Sequence, residues 1–210
     1  MGKSILLFGG TFDPVHNAHV RVAEVAAEHL NAQQVIFIPV RRSPHKNFNP
    51  LASDQDRLKM IQLAIESFPN FTVSDCEFKR PEPSYTIDTI EYFKRQMGKN
   101  VPLYWLVGAD TIKDLLYWHR IGEIIDKCNL AIMRRAGFPL PDLSLLEAHL
   151  GKKRVEKLNA DTINTPSIDL SSTEIRARLA AGEDVSDMIS EEVMRFIAKN
   201  ALYGCRLPKI

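Results

Sequence analysis

The chain has 210 residues, 45% of them hydrophobic and 25% charged, proportions of an ordinary globular protein that exclude collagen-like, coiled-coil and wholly disordered architectures. At this length the natural reading is one domain over 1–210 with a C-terminal helical part at about 172–205, able to bury roughly 70% of its unfolded surface without a disulfide or metal staple. The 27 Lys and Arg against 26 Asp and Glu leave a net charge of +1, so no global field draws the molecule to nucleic acid or to an anionic membrane, and any anion must be held by local placement of charge.

Strands and helices alternate along the chain. Ile5-Leu6-Leu7-Phe8 is a continuous apolar run closed by Gly9-Gly10, the pattern of a strand buried on both faces. From about Ala18 to Leu30, Val22, Ala23, Val25, Ala26 and Leu30 recur at helical spacing, and Val35-Ile36-Phe37-Ile38 forms a second buried strand stopped by Pro39. Residues 40–53 are basic and aperiodic, a long loop. Ser53 with Asp56 resembles a helix-capping pattern ahead of Leu58, Ile61 and Ile65. Phe71-Thr72-Val73 is a third strand, 79–84 a loop with two prolines, and Ile87, Ile90, Tyr92 and Phe93 mark a helix. Leu103–Val107 and Leu130–Met133 are further strands, with short helices at 111–117 and 121–127 between them. Residues 136–160 are mixed, with a helix near 142–150. A short strand near 161–169 precedes helices at 172–181 and about 187–199. This alternation predicts an α/β fold, a doubly wound and mainly parallel sheet with helices on both faces. Ligands bind such sheets beyond the C-terminal strand ends, where strand order switches. That directs attention to the segments after Phe8, Ile38 and Val107 and just before Ser172.

Cys76, Cys128 and Cys205 lie far apart with no CxxC pair, which argues against a disulfide framework and fits a reducing compartment. The segment Met1–Leu6 has no signal-peptide anatomy and no apolar run has the length of a bilayer span, so a cytoplasmic location and no membrane partner are expected. Oligomeric state is left open, a homo-oligomer included.

The string Gly9-Gly10-Thr11-Phe12-Asp13-Pro14-Val15-His16-Asn17-Ala18-His19 turns from a buried strand into a helix. Two glycines let a ligand approach the backbone. His16 and His19, three apart, lie on one face of a helix N-terminus, where free N–H groups and the dipole favour an anion and where imidazoles can donate to phosphate oxygens. A surface position of this kind buries little. With no third ligand at a recognisable spacing, the pair is not expected to hold zinc. The second motif, Ser171-Ser172-Thr173-Glu174-Ile175-Arg176, opens another helix; a serine N-cap is its plain structural reading. Gly9-Gly10 lacks the third glycine of the dinucleotide fingerprint.

The first string resembles the HxGH signature of the adenylyl- and cytidylyltransferase superfamily, with Ala18 where that family usually has glycine, and the second is similar to its ISSTxIR element. The resemblance implies a Rossmann-like domain that binds ATP through Gly9, Gly10, Thr11, Phe12, His16 and His19, with Gly108, Asp110 and Arg134 bordering the nucleotide. Ser171, Ser172, Thr173 and Arg176 would hold the triphosphate. Pro44-His45-Lys46 in the basic loop, Ser84-Tyr85-Thr86 at a helix start, Gly108-Ala109-Asp110 and Trp118-His119-Arg120 together look like the bacterial nicotinate-mononucleotide adenylyltransferases, over about Lys3–Arg178. By that resemblance His45 and Lys46 reach phosphates, backbone amides near Thr86 take the nicotinate carboxylate, Trp118 stacks on the pyridine ring, and Ser84, Tyr85 and Thr86 belong to the mononucleotide site. The implied reaction joins ATP and nicotinate mononucleotide to give deamido-NAD and pyrophosphate, a nucleotidyltransferase step of NAD biosynthesis. Catalysis would be by positioning and electrostatics, with His16, His19, Lys46 and Arg176 as the charge-stabilising set and Mg²⁺ held mainly by phosphates and water. Pantetheine-phosphate adenylyltransferase and a non-catalytic ATP-sensing module are the alternatives. The start of the helix near Thr86 offers hydrogen-bond donors but no acceptor, which favours the acid mononucleotide over the amide.

Overall fold

The structure, a computed structural model, describes residues 4–42, 49–98, 100–135, 142–165 and 170–205. Strands β1 (Ser4–Gly10), β2 (Ala32–Pro39), β3 (Phe71–Val73), β4 (Leu103–Gly108), β5 (Asn129–Arg135) and β6 (Thr162–Thr165) alternate with helices α1 (Asn17–His29), α2 (Asp54–Ala64), α3 (Thr86–Met97), α4 (Ile121–Lys127), α5 (Glu147–Leu150) and α6 (Lys152–Ala160). Helices α7 (Ser172–Ala181) and α8 (Glu191–Lys199) follow β6, and 3-10 segments cover Ala109–Tyr117, Leu143–Leu146 and Leu202–Gly204.

The strands form one sheet in the order β3-β2-β1-β4-β5-β6, parallel at every pairing. The chain winds outward from β1 to β3, then crosses back to β4 and winds the other way. A crevice opens at the C-terminal ends of β1 and β4, where the winding reverses. This is the doubly wound Rossmann-like sheet that the alternation predicts.

Side chains along a strand point to opposite faces with a period of two, so the run Ile5–Phe8 serves two cores. Leu6 and Phe8 join Val35, Phe37 and Leu106 under residues of α1, α2, α7 and α8. Ile5 and Leu7 join Ile36, Ile38, Trp105 and Val107 under residues of α3, α4 and α6. Helix caps follow local chemistry: the Ser53 hydroxyl accepts from the Asp56 amide at 3.1 Å, the pattern read from sequence. The details depart from expectation where the local signal is weak. The helix near 142–150 is a 3-10 turn followed by the single turn of α5. Helix α6 was not anticipated, because Val155 and Leu158 are its only buried residues and two apolar positions in nine residues carry little periodic signal. The last helix starts at Glu191, where the Ser190 hydroxyl accepts from the Val193 amide. Among the described residues no helix is long and apolar enough to cross a membrane.

Candidate active site

A cleft of about 240 Å³ opens at the C-terminal ends of β1, β2 and β4. Gly9 and Gly10 form one wall, and both need the absence of a side chain. A Cβ on Gly9 would lie 2.4 Å from Trp105 Cζ2, and one on Gly10 would lie 2.7 Å from Phe12 Cζ. Gly9 therefore lets an indole from β4 reach the crevice. Of the residues expected at a mononucleotide, Ser84, Tyr85, Thr86 and Trp118 all line this cleft, beside Thr11. His45 and Lys46 lie outside the described residues.

The opposite wall is the start of α3. Tyr85 is its N-cap, and the Tyr85 carbonyl accepts from the amides of Asp88 and Thr89. That leaves the earliest amides of the helix without an intrahelical acceptor, and Thr86, its first residue, lines the cleft at the positive end of the dipole. Trp118 is half-buried and does two things: it packs against the core and it lines the cleft. Its neighbour His119 tilts over the Tyr85 ring at 4.4 Å between centroids.

Two details bear on the expectation that the helix start near Thr86 offers donors but no acceptor. The Ser84 hydroxyl is shielded from solvent, so its contact with the cleft is through other atoms. Glu77, which the sequence reading did not single out, also lines the cleft. Its Oε1 accepts from the Thr89 hydroxyl at 2.6 Å, and that hydroxyl accepts from Arg80. Its Oε2 is sealed from solvent, with the Ser84 hydroxyl as a hydrogen-bonding neighbour of the carboxylate. The acceptor is thus present but withdrawn beneath the wall. Burial raises the Glu77 carboxyl pKa, although the Thr89 bond opposes this.

The histidine corner stands at the start of α1, reached from Gly9–Thr11 through the Phe12–Val15 turn. His16 is the N-cap of α1 and His19 its third residue, and their rings stack at 3.7 Å between centroids. The His16 backbone N–H donates to His19 Nδ1 at 3.3 Å. An accepting Nδ1 leaves the proton on Nε2 of the neutral ring, so His19 presents an N–H at its other edge. His19 also packs edge-on against Phe12 at 5.0 Å and near Phe8 at 6.0 Å. It is half-buried, and the surface position expected from sequence is corrected accordingly. His16 is only 6% exposed, and burial lowers its pKa to about 4. It is neutral at pH 7, which removes it as a cation and leaves it as a neutral donor. Ala18 is buried within α1.

The second motif meets the first at Asp13-Pro14. Arg176 Nη1 donates to the Asp13 carbonyl at 2.7 Å, and the Ser172 hydroxyl donates to the Pro14 carbonyl at 2.9 Å. Arg176 Nη2 donates to the Thr173 hydroxyl at 3.2 Å. Ser171 caps α7 by accepting from the Glu174 amide at 3.1 Å. Two ends of the chain are thereby fastened into one corner. Arg57, also missed by sequence reading, fastens the strand ends: it is fully buried, and Nη1 donates to the carbonyls of Thr11 and Val40, each at 2.7 Å. Its charge is met by Asp54 at 2.6 Å. An arginine on the apolar face of α2 breaks the helical pattern, and that was the available signal.

Gly108 is the last residue of β4 and Asp110 follows it; a Cβ on Gly108 would meet Asp110 Oδ1. Neither they nor Arg134, near the end of β5, line the cleft. Among the described residues no group of three or more His, Cys, Asp or Glu side chains is placed to hold a metal ion.

A family model described as cytidylyltransferase-like matches residues 7–178. A Clostridium tetani protein named as a probable nicotinate-nucleotide adenylyltransferase is 39% identical over 204 residues, 96% of this chain and 99% of its own length. A Rhodopirellula baltica protein of the same name is 34% identical over 95% of this chain and 93% of its own. The Plasmodium falciparum nicotinic acid mononucleotide adenylyltransferase, solved in complex with NaAD, superposes with a TM-score of 0.74 at 21% identity, over 98% of this chain and 100% of that one. With both motifs inside the matched region and the fold shared end to end, the chain belongs to the cytidylyltransferase-like family, among its nicotinate-nucleotide adenylyltransferases.

Proposed function

We propose that residues 1–210 act as one domain that transfers the adenylyl group of ATP to nicotinate mononucleotide, giving deamido-NAD and pyrophosphate. The observation that carries this reading is the junction of two subsites at Gly9–Thr11. On one side lies a cleft with an indole and helix-start amides. On the other lies a stacked histidine pair at the start of α1, following the Asp13-Pro14 turn to which Arg176 is bonded. Trp118 suits a flat pyridine ring, and the α3 amides suit the carboxylate on its edge. The cleft is too small for both nucleotides, so ATP extends across Gly9 and Gly10 toward α1 and α7, past the ends of β4 and β5 where Gly108, Asp110 and Arg134 stand.

A mononucleotide phosphate is a nucleophile at neutral pH. One of its oxygens forms the new bond to the α-phosphorus of ATP as the bond to the bridging oxygen breaks, and pyrophosphate leaves with that electron pair. No protein nucleophile or base is needed. The chain supplies alignment and preorganised donors. His19 donates from Nε2 and His16 as a neutral ring. Arg176, with Lys46 by resemblance, balances the charge. Asp13 is saturated by protein donors, so Mg²⁺ would enter on the triphosphate and there supply charge neutralisation. Free thiols at Cys76, Cys128 and Cys205 support the cytoplasm as the compartment.

Mass spectrometry of products after incubation with ATP, Mg²⁺ and a panel of mononucleotides and phosphopantetheine tests the reading. Deamido-NAD as the dominant product is expected. Dephospho-coenzyme A, or no product from any acceptor, would overturn it.

A further inference from the structure

Asp13 is 3% exposed, and a carboxylate so buried must be compensated. Three donors from distant parts of the chain converge on it. The Leu51 amide donates to Oδ2 at 2.8 Å, the Ala52 amide to Oδ1 at 3.0 Å, and the Tyr203 hydroxyl to Oδ1 at 2.8 Å. The guanidinium of Arg176 lies beside this carboxylate, yet its Nη1 stands 4.0 Å from Oδ2 and donates to the Asp13 carbonyl instead. A carboxylate and a guanidinium left to themselves close to roughly 2.7–2.9 Å, often through two parallel bonds. Here they do not close.

We propose that Tyr203 is a positioning residue for adenylyl transfer: its hydroxyl, with the two amides, satisfies Asp13 and so keeps the Arg176 guanidinium available to the substrate phosphates. Tyr203 sits in the left-handed region at φ 58, directly after the 3-10 segment begins and two residues after Ala201 at φ 50. Two left-handed non-glycine residues so close together cost conformational energy, and the turn they build delivers the hydroxyl to Asp13. The ring packs against the core that holds α1, α2, α7 and α8, which fixes the direction of the O–H. Burial, reinforced by the Asp13 charge, pushes the phenol pKa up, so the group stays a donor through the working range of pH.

The inference rests on the proposed role of Arg176 at the triphosphate, and the test separates the two. Tyr203→Phe keeps the ring and removes only the hydroxyl; Asp13 retains two amide donors, so the fold is kept. The freed carboxylate then draws Arg176 toward itself. KM for ATP should rise by about tenfold, the scale of one charge-assisted hydrogen bond, with KM for the mononucleotide within about twofold and the urea midpoint nearly unchanged. In an Arg176→Ala background, Tyr203→Phe should add nothing. Normal kinetics in Arg176→Ala would remove the role of Arg176 itself and the inference with it. If Arg176→Ala is impaired but Tyr203→Phe has wild-type KM for ATP, or its effect adds in full to that of Arg176→Ala, the positioning role is overturned and the function stands. A lowered urea midpoint with unchanged kinetic constants would likewise leave Tyr203 a purely structural residue.

Discussion

His16 should make this protein acid-sensitive in a defined window. Its imidazole has an ordinary pKa of 6.5 and is lowered to about 4 by burial, at a position 6% exposed. Between those values the unfolded chain binds a proton that the folded chain refuses, so stability must rise with pH across the window and fall as pH drops through it. At about 1.4 kcal/mol per pKa unit, moving from pH 7 to pH 4 should cost about 3 kcal/mol from this side chain. The perturbation is His16→Gln, which keeps a polar planar group and removes the titration. Urea unfolding of the ligand-free protein at pH 7, 6, 5 and 4 provides the assay, with wild type and variant compared at each pH so that other groups cancel. The stability difference between the two should change by about 3 kcal/mol against the wild type, nearly all of it below pH 6.5. Glu77 does not imitate this. Its raised carboxyl pKa contributes stability that is present at low pH and lost as pH rises, the opposite slope. A difference that stays flat from pH 7 to pH 4 would refute the argument and mean that the His16 ring is hydrated or charged in the folded state.

The other predictions are simpler. His19→Ala should lower kcat by roughly 10²–10³-fold, the loss of one preorganised donor, and should also cost about 1 kcal/mol of stability because the ring closes the start of α1; unaltered turnover would remove it from the chemistry. Arg57→Leu should cost roughly 3–5 kcal/mol by stranding the buried Thr11 and Val40 carbonyls and the Asp54 partner, lowering Tm by about 2–4 °C for each kcal/mol; a Tm within a degree or two of wild type would show that the site does not depend on this clamp. The acid mononucleotide should be preferred over the amide by at least about 10²-fold in kcat/KM, since the helix-start amides favour a carboxylate and the Glu77 carboxylate is withdrawn from the cleft; comparable values would mean that an acceptor in the cleft wall reaches the substrate. Trp118→Ala should weaken both mononucleotides together and leave KM for ATP nearly intact, because stacking does not sense the ring substituent. Metal analysis of protein purified without a His tag should find no stoichiometric zinc, because two face-stacked imidazoles do not converge on one ion.

Much of the fold was legible because it is locally encoded. Each strand from β1 to β5 is a short apolar or β-branched run, and the helices that bury a face carry the 3.6-residue period, so the α/β alternation and the parallel sheet follow from patterns a few residues long. Gly9-Gly10 and the His16–His19 spacing are local too, as is Ser53 ahead of α2. Where the local signal thins, the reading failed: α6 has two apolar residues in nine, and Glu77 sits in a loop without a period.

Tertiary structure decided the electrostatics. No string of residues says that Asp13 will be met by Leu51, Ala52 and Tyr203, contacts that span up to 190 positions. Nor does any string place Arg57 under the ends of β1 and β2. His16 looks in sequence like a surface histidine with an ordinary pKa of 6.5, and only its burial, which lowers that to about 4, keeps it neutral through mildly acidic pH. The reason is physical: backbone conformation responds to neighbours within a few residues, whereas the charge state of a side chain depends on how much water remains around it, and water is expelled by segments that meet only when the chain folds.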